Sequence, residues 1–398
     1  MMGSRGPLVA VDLRALQQGY KAHRERGIGR HARGLVWALA DLVPKGRIKF
    51  FVSPGPAPDL DGESIAVESL RWPGWIEWLP AGRETAFRLA GLSAAVRRLD
   101  VRVVHFLSHT DAPLGWLGGA RLIVTAHDII PVVFRKEYAG RDAIRNLRSR
   151  FGTWLNVRVL EKADRIIAVS EATKKDLVGT LGLTPGKITV IPNGVDRFRP
   201  PPKSEVESFK GSNGLTRPYL LHVGGIDRRK NVNILPEVLR RARAGGLDLD
   251  LVFAGRIEKE PEFPALGEAV RAAGVEKNVR FAGFLPDAGL ASLYAGAWAL
   301  VEPSIYEGFG LPVLEAMAAG TPVIASNRGA LPEVSGDAAL LVEPEEGPIV
   351  EALGRLAAEE GLREALLARG EARITLFDWR RAAEMTVRVY EEALGGPL

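Results

Sequence analysis

The stretch ALVEPSIYEGFGLPVLE, residues Ala299–Glu315, reads as one strand–loop–helix unit. Its first four residues form a short apolar run, the pattern of a strand covered on both faces. Pro312 suits a first helical position, which leaves Glu307 in the loop and puts Glu315 about one turn inside the helix. Gly308 and Gly310 free the backbone at the helix N-terminus, a cradle for an anion or a polar ligand. Two carboxylates eight residues apart, one on the loop and one on the helix, can hold different hydroxyls of one elongated ligand.

The same alternation runs through the whole chain. Apolar runs rich in Val and Ile fall at Leu8–Val11, Ile48–Val52, Val101–Leu107, Leu122–Ala126, Arg165–Val169 and Lys187–Ile191. A second set falls at Tyr219–Val223, Leu249–Ala254, Val279–Phe281, Ala299–Glu302, Pro322–Ala325 and Ala338–Val342. Helical-period segments separate them. Strands of this kind alternating with helices predict an α/β protein of two doubly wound parallel-sheet domains. A length of 398 residues agrees, because one hydrophobic core stops growing at roughly 250–300 residues. The join is expected near RPPPKSEVESFKGSNGLTR, Arg199–Arg217, whose prolines, glycines and polar residues suit an exposed connector. The domains are then 1–199 and 200–376, with a final helical segment over 377–398. Ligands of doubly wound sheets bind outside the carboxyl ends of the strands. Two such sheets facing each other would set their loops across one central cleft.

Composition excludes several chemistries. There is no cysteine, hence no disulfide, thiolate zinc site, iron–sulfur cluster or cysteine nucleophile. No apolar run reaches the roughly 18 residues needed to span a bilayer. Asp12 and Arg14 interrupt the first apolar stretch, so it does not read as a signal peptide and a cytoplasmic location is expected. No Gly-x4-Gly-Lys phosphate loop or Gly-x-Ser-x-Gly elbow occurs. Asp248 and Asp250 form an Asp-x-Asp pair, but they enter an apolar strand, LDLDLVFAG, and are not expected to clamp a metal. No metal site is expected elsewhere.

After the strand at 219–223 comes Gly224-Gly225-Ile226-Asp227-Arg228-Arg229-Lys230-Asn231. Two glycines allow close backbone approach and three cations follow at the start of a helix, which suits a diphosphate. Cations at a helix N-terminus oppose the macrodipole unless an anion binds there.

These two segments, together with Ile191-Pro192-Asn193-Gly194-Val195-Asp196, Gly320-Thr321-Pro322-Val323-Ile324-Ala325, Gly27-Ile28-Gly29-Arg30 and His127-Asp128, resemble retaining glycosyltransferases of the GT-B fold, the family-4 (group 1) type. The resemblance covers essentially the whole chain and is most specific from Pro218 to Pro344. It implies two Rossmann-like domains, with a nucleotide-sugar donor held mainly by the C-terminal one and an acceptor held mainly by the N-terminal one. It also implies a last helix that crosses back to the first domain. Carried over, Arg229 and Lys230 would hold the donor diphosphate and Glu315 the ribose hydroxyls. Glu307, with the backbone of Gly308, Phe309 and Gly310, would hold the transferred sugar. Gly29 would lie close to the diphosphate, and His127 would contact the sugar near the reacting carbon. Gly225 and Leu311 join the donor-binding set. So do Phe284 and Leu285, from the segment FAGFLPD at Phe281–Asp287 expected to line the base pocket. One departure stands out: many members carry arginine where this chain has Gly225, so the charge falls on Arg229 and Lys230, as in members resembling GDP-mannose users. His23, His31, His105, His109 and His222 read as structural.

The activity implied is retaining, metal-independent transfer of a hexosyl group, mannosyl favoured, from a nucleoside diphosphate sugar to an acceptor hydroxyl. No separate cofactor is expected, since GDP-mannose, the favoured donor, is itself a substrate. The context implied is synthesis of a cell-surface polysaccharide or glycolipid. Alternatives are a sugar phosphorylase or nucleotide-sugar hydrolase on the same fold, and a catalytically silent binding subunit.

Residues 1–200 carry a net charge of +12 and residues 201–398 carry −7. Such asymmetry reads either as one lobe meeting an anionic partner or as two solvated surfaces that differ. Arg141, Arg145 and Arg148 share a helical face, and Arg71–Trp78 places Trp72, Trp75 and Trp78 in a proline- and glycine-containing loop. The tryptophans read as core filler or as a greasy loop for an acceptor or a bilayer interface. The expected partners are a nucleotide sugar, a glycan or lipid-linked acceptor, and an anionic membrane surface at the inner face. No basic-aromatic module points to nucleic acid.

Overall fold

Every strand-to-strand pairing in the computed structural model is parallel among the described residues, which are 8–18, 20, 27–58, 65–71, 73–78, 83–134, 143–195 and 200–398, with backbone alone at 77, 83, 84 and 143–149. The chain divides into two units, Met1–Gly194 with Trp379–Leu398, and Val195–Asp378.

The first unit contains β1 (Val9–Asp12), β2 (Ile48–Val52), β3 (Val67–Ser69), β4 (Val103–Phe106), β5 (Arg121–Ala126), β6 (Arg165–Ala168) and β7 (Ile188–Val190). Their order is β3-β2-β1-β4-β5-β6-β7, so the winding reverses between β1 and β4. Successive residues feed opposite faces, as the two-residue period of a strand demands: Val9 and Val11 join one apolar core, Ala10 the other. The strand β3 was not anticipated. Its three residues, Val-Glu-Ser, are an edge strand with its polar side chains exposed, which leaves no apolar run to read.

The final helix, Trp379–Leu394, belongs to the first unit although 184 residues of the second precede it. Its Ala383, Val389, Tyr390 and Leu394 are buried in the same core as Val9 and Val11. Two glycines admit its first residue. A Cβ on Gly34 would stand 2.1 Å from Trp379 Cε2, and one on Gly194 would stand 2.5 Å from the Trp379 backbone nitrogen. Deeper in, the Tyr390 hydroxyl lies 2.7 Å from His105 Nδ1.

The second unit contains β8 (Tyr219–Val223), β9 (Asp250–Ala254), β10 (Val279–Gly283), β11 (Ala299–Glu302), β12 (Val323–Ser326) and β13 (Leu340–Val342), in the order β10-β9-β8-β11-β12-β13. Its reversal falls between β8 and β11, which makes the loops after those two strands neighbours. Both doubly wound parallel sheets expected from the alternation are therefore present.

Two expected loops are helical. The connector holds a helix at Lys203–Ser212, started after Pro202, with Val206 buried and Phe209 near Gly289 of the Asp287–Ala295 helix. The tryptophan segment forms a short helix, Gly74–Glu77, and both Trp75 and Trp78 are exposed, which removes core filling for these two. Trp72, Arg141 and His23 lie outside the described residues, and of Arg145 and Arg148 only the backbone is described. Among the described residues no helix is long and apolar enough to cross a membrane.

Candidate functional site

Because β8 and β11 pair side by side, the Gly224–Asn231 loop and the Pro303–Gly310 loop emerge together. The Ile305 N–H donates to the Arg229 carbonyl at 2.7 Å, and Arg229 Nη1 donates to the Tyr306 carbonyl at 3.3 Å, tying the two loops directly. Arg228–Lys230 is not the start of the α-helix, as expected, but a separate 3₁₀ turn. Asp227 caps it by accepting from the Arg229 N–H at 3.2 Å, and Asn231 ends it in the left-handed region at φ 55°. The α-helix begins only at Leu235. This turn aims Arg229 and Lys230 inward while Arg228 stays exposed.

Glu307 receives both cations. Lys230 Nζ lies 2.7 Å from its Oε1 and Arg229 Nη1 lies 2.8 Å from its Oε2. Ser304 Oγ sits 2.9 Å from the same Oε1. Burial alone would push the Glu307 carboxyl up, but Arg229, Lys230 and the Ser304 hydrogen bond outweigh it and hold it at about 2. Lys230 is likewise buried, a pull downward that Glu302 and Glu307 overcome, so its pKa is raised. Both groups are charged at neutral pH. The Glu307 backbone is pinned from behind: a Cβ on Gly329 would stand 2.7 Å from its carbonyl oxygen, and Ala330 N–H donates to that oxygen at 3.0 Å.

Gly308, Phe309 and Gly310 follow, all buried. Gly310 takes φ 102° as the N-cap of the Leu311–Ala318 helix, with Pro312 in its first turn as the sequence predicts. Phe309 packs edge-on against Phe377. Glu315 lies in that helix, buried, and its Oε2 accepts from the Tyr294 hydroxyl at 2.8 Å. Gly225 faces Glu260. A Cβ at 225 would stand 2.9 Å from Glu260 Oε1, and Glu260 Oε2 accepts from the Ile226 N–H at 2.8 Å, so the glycine leaves room for a fixed carboxylate. Phe284 is exposed with the Arg256 guanidinium 5.0 Å from its ring centroid, and Leu285 beside it is half-buried. Asp248 and Asp250 serve structure: Arg217 contacts both, and Asn278 donates to Asp250 at 2.7 Å.

In the first unit, His127 follows β5 directly and its Nε2 lies 2.9 Å from the Leu107 carbonyl. A carbonyl only accepts, so Nε2 carries the proton and Nδ1 is left as the basic nitrogen. Burial lowers the His127 pKa, against the opposing pull of that hydrogen bond. His31 stands edge-on to it at 4.8 Å, with Nδ1 2.8 Å from Asn193 Oδ1. Gly29 lies buried in the Gly27–Leu42 helix, two residues before His31.

Sequence reasoning passed over Glu302, Ser304, Tyr294 and Glu260, and reads His31 as structural. Only Glu302 gave a signal, a charged residue closing an otherwise apolar buried strand. Tyr294, Glu260 and His31 depend on contacts between segments far apart in the chain, and Ser304 on the fold of its own loop.

Residues 26–199 match the family described as Glycosyltransferase Family 4, and residues 203–373 match Glycosyl transferases group 1. The MMP alpha-(1->4)-mannosyltransferase of Mycolicibacterium hassiacum is 31% identical over 350 residues, covering 85% of this chain and 82% of that protein. Among solved structures, sucrose-phosphate synthase from Thermosynechococcus elongatus superposes with a TM-score of 0.74 at 24% identity, over 98% of this chain and 100% of that one. HepE from Anabaena, in complex with UDP and glucose, gives the same TM-score at 17% identity, over 97% of this chain and 100% of its own.

Proposed function

Since the chain belongs to the family 4, group 1 glycosyltransferases, we propose that it transfers a hexosyl group, mannosyl favoured, from GDP-mannose or a similar nucleoside diphosphate sugar to an acceptor hydroxyl, with retention at the anomeric carbon. The observation that carries this is the convergence of Arg229 and Lys230 on Glu307 at the reversal of the second sheet. Breaking the anomeric bond builds negative charge on the departing diphosphate oxygen. Two preorganised cations stabilise that charge without reorganising during the reaction, and no metal is needed for it.

Glu307, ionised at any physiological pH, cannot donate a proton. Its part is to accept from hydroxyls of the transferred sugar and to stand opposite the positive charge growing on the ring. The backbone of Gly308 to Gly310 supports the same sugar. Glu315, oriented by the Tyr294 hydroxyl, takes the ribose. Gly225, Phe284, Leu285 and Leu311 complete the donor surface of the second unit. In the first unit, His127 is the residue we assign to the sugar and Gly29 the one we assign to close approach to the diphosphate. The phosphate that leaves takes the acceptor proton, so no second carboxylate serves as nucleophile.

The acceptor we favour is a lipid-linked glycan met at an anionic membrane surface on the cytoplasmic side, in polysaccharide or glycolipid synthesis. Its support is a set of exposed aromatics on the first unit: Trp75, Trp78, Trp116, Phe151 and Trp154. Arg88 reaches both Ala112 and Asn156, which links the helix at 83–97 to the segments carrying Trp116 and Trp154. Interfacial aromatics beside a basic half suit peripheral attachment.

The deciding experiment supplies GDP-mannose and other nucleotide sugars, with and without acceptors, in EDTA, and reads the anomeric configuration of the product by NMR. An α-linked product from an α-linked donor supports the proposal; inversion, or consumption independent of acceptor, rejects it. Sedimentation with anionic and neutral vesicles tests the membrane part: binding to neutral vesicles alone, or none at low salt, leaves a soluble acceptor.

A further inference from the structure

Glu302 closes β11 and is wholly buried. Its Oε1 lies 2.6 Å from Ser304 Oγ and 3.4 Å from Lys230 Nζ. Its Oε2 is buried with no hydrogen-bond partner. Lys230 does not need this carboxylate to be paired, since Glu307 already holds Nζ at 2.7 Å. Arg229 in turn meets Glu307 at 2.8 Å and Asp227 at 3.2 Å. Lys230 by itself thus faces two carboxylates, Glu302 and Glu307. Ser304 cannot relieve the excess, because one hydroxyl hydrogen must serve Glu302 Oε1 at 2.6 Å or Glu307 Oε1 at 2.9 Å.

Stability gives no reason for Glu302. A buried carboxylate with an unpartnered oxygen is costly, and an apolar side chain of similar volume would extend the run Ala299-Leu300-Val301 into the core. A charge kept at such cost beside one particular nitrogen points to that nitrogen's task.

We propose that Glu302 is a positioning residue that holds Lys230 Nζ on the protein side and tempers its grip on the diphosphate, so that the nucleoside diphosphate product can leave. This rests on the assignment of Lys230 to the diphosphate made above. The physics separates substrate from product. A nucleotide sugar carries two negative charges on its diphosphate. Once the sugar departs, the exposed terminal phosphate gains up to one more at neutral pH, its second pKa being about 6. An unmoderated cation pair would then bind product more tightly than donor, and release would limit turnover. A fixed negative charge next to Lys230 acts more strongly against the more anionic ligand.

The test is calorimetric titration of GDP and UDP, and of GDP-mannose, into the full chain and two variants. Glu302→Gln removes the charge and keeps an acceptor for Ser304; Glu302→Leu removes both. Both variants should bind nucleoside diphosphate about tenfold more tightly, about 1.4 kcal/mol. The gain for the nucleotide sugar should be smaller, and steady-state turnover should fall behind a product burst. A lesion that is only structural would weaken binding in both. Unchanged or weaker diphosphate affinity in whichever variant is folded overturns the inference while the assignment of Lys230 stands. If the wild-type chain binds neither GDP nor UDP, that assignment itself fails and takes the inference with it.

Discussion

Replacing Lys230 by alanine should damage folding and turnover by separable amounts. Lys230 is almost fully buried, with Nζ 2.7 Å from Glu307 and 3.4 Å from Glu302. Truncation leaves Glu307 with Arg229, but leaves Glu302 with at most the one Ser304 hydroxyl hydrogen that the two carboxylates share. Removing one partner of a buried ion pair costs about 3–5 kcal/mol, and the pairing that Glu307 keeps puts the expected loss at the lower end, about 3 kcal/mol. Turnover loses a charge aimed at the leaving group, about 3–4 kcal/mol or roughly 10²–10³-fold in kcat, by comparison with deleted oxyanion donors. A double variant, Lys230→Met with Glu302→Gln, separates the two. It removes the orphaned charge and should recover at least half of the lost stability while turnover stays low. Scanning calorimetry reads the first quantity and nucleotide-sugar consumption the second. A folded Lys230→Ala chain turning over within about threefold of wild type would refute the electrostatic role. So would a double variant that regains turnover with stability, because Lys230 would then be a structural counter-charge alone.

Three further outcomes follow from the same geometry. Glu315→Gln should weaken binding of the free nucleoside diphosphate, whereas Glu307→Gln should depress turnover without weakening that affinity; calorimetry showing the opposite would reverse the division between ribose and sugar. Burial holds His105 and His109 at about 3 and lowers His31 and His127 as well, so these rings fold neutral and the unfolded chain binds their protons first. Their contribution is complete above about pH 6.5 and is lost as pH falls toward 3, about 5 kcal/mol by pH 4.5 from His105 and His109 alone; seven of the eight tryptophans lie in the first unit, so fluorescence-detected urea unfolding reads it, and pH-independent stability over that range would refute the claim. Gly194→Ala should destabilise the first unit by at least about 2 kcal/mol, because its Cβ meets backbone 2.5 Å away, and a neutral effect in the same titration would show that the Trp379 slot yields.

The sheets were legible because Val-Ile runs such as Leu122–Ala126 and Ala299–Glu302 leave few other readings, and the loops after β8 and β11 followed from their glycines and charges. Edge strand β3 was illegible, since Val-Glu-Ser carries no apolar period. The connector concealed a helix because its apolar face is only Val206 and Phe209, residues whose partners lie near Gly289 and Gly296. The 3₁₀ turn at Arg228–Lys230 depends on the Asp227 cap and on Asn231 adopting a positive φ, local choices that a basic triplet does not announce. Glu302 was read as the end of a strand. Its importance lies in one distance to Lys230, across 72 residues of chain, which no spacing rule encodes.

The return of Trp379–Leu394 to the first unit also sets an order of events during synthesis. A ribosome that has made residues up to Gly194 has made every strand of the first sheet, yet the core around Val9, Val11 and Ile123 still lacks Ala383, Val389 and Tyr390. At roughly 5–20 residues per second, the intervening 184 residues take about 10–40 s to emerge. For that interval a nascent chain exposes an apolar seam on the first sheet, and the second unit, contiguous in sequence, can finish folding before the first. Newly made chains should therefore engage chaperones chiefly through the seam that the last helix will cover, and a chain stalled before Trp379 should stay bound to them.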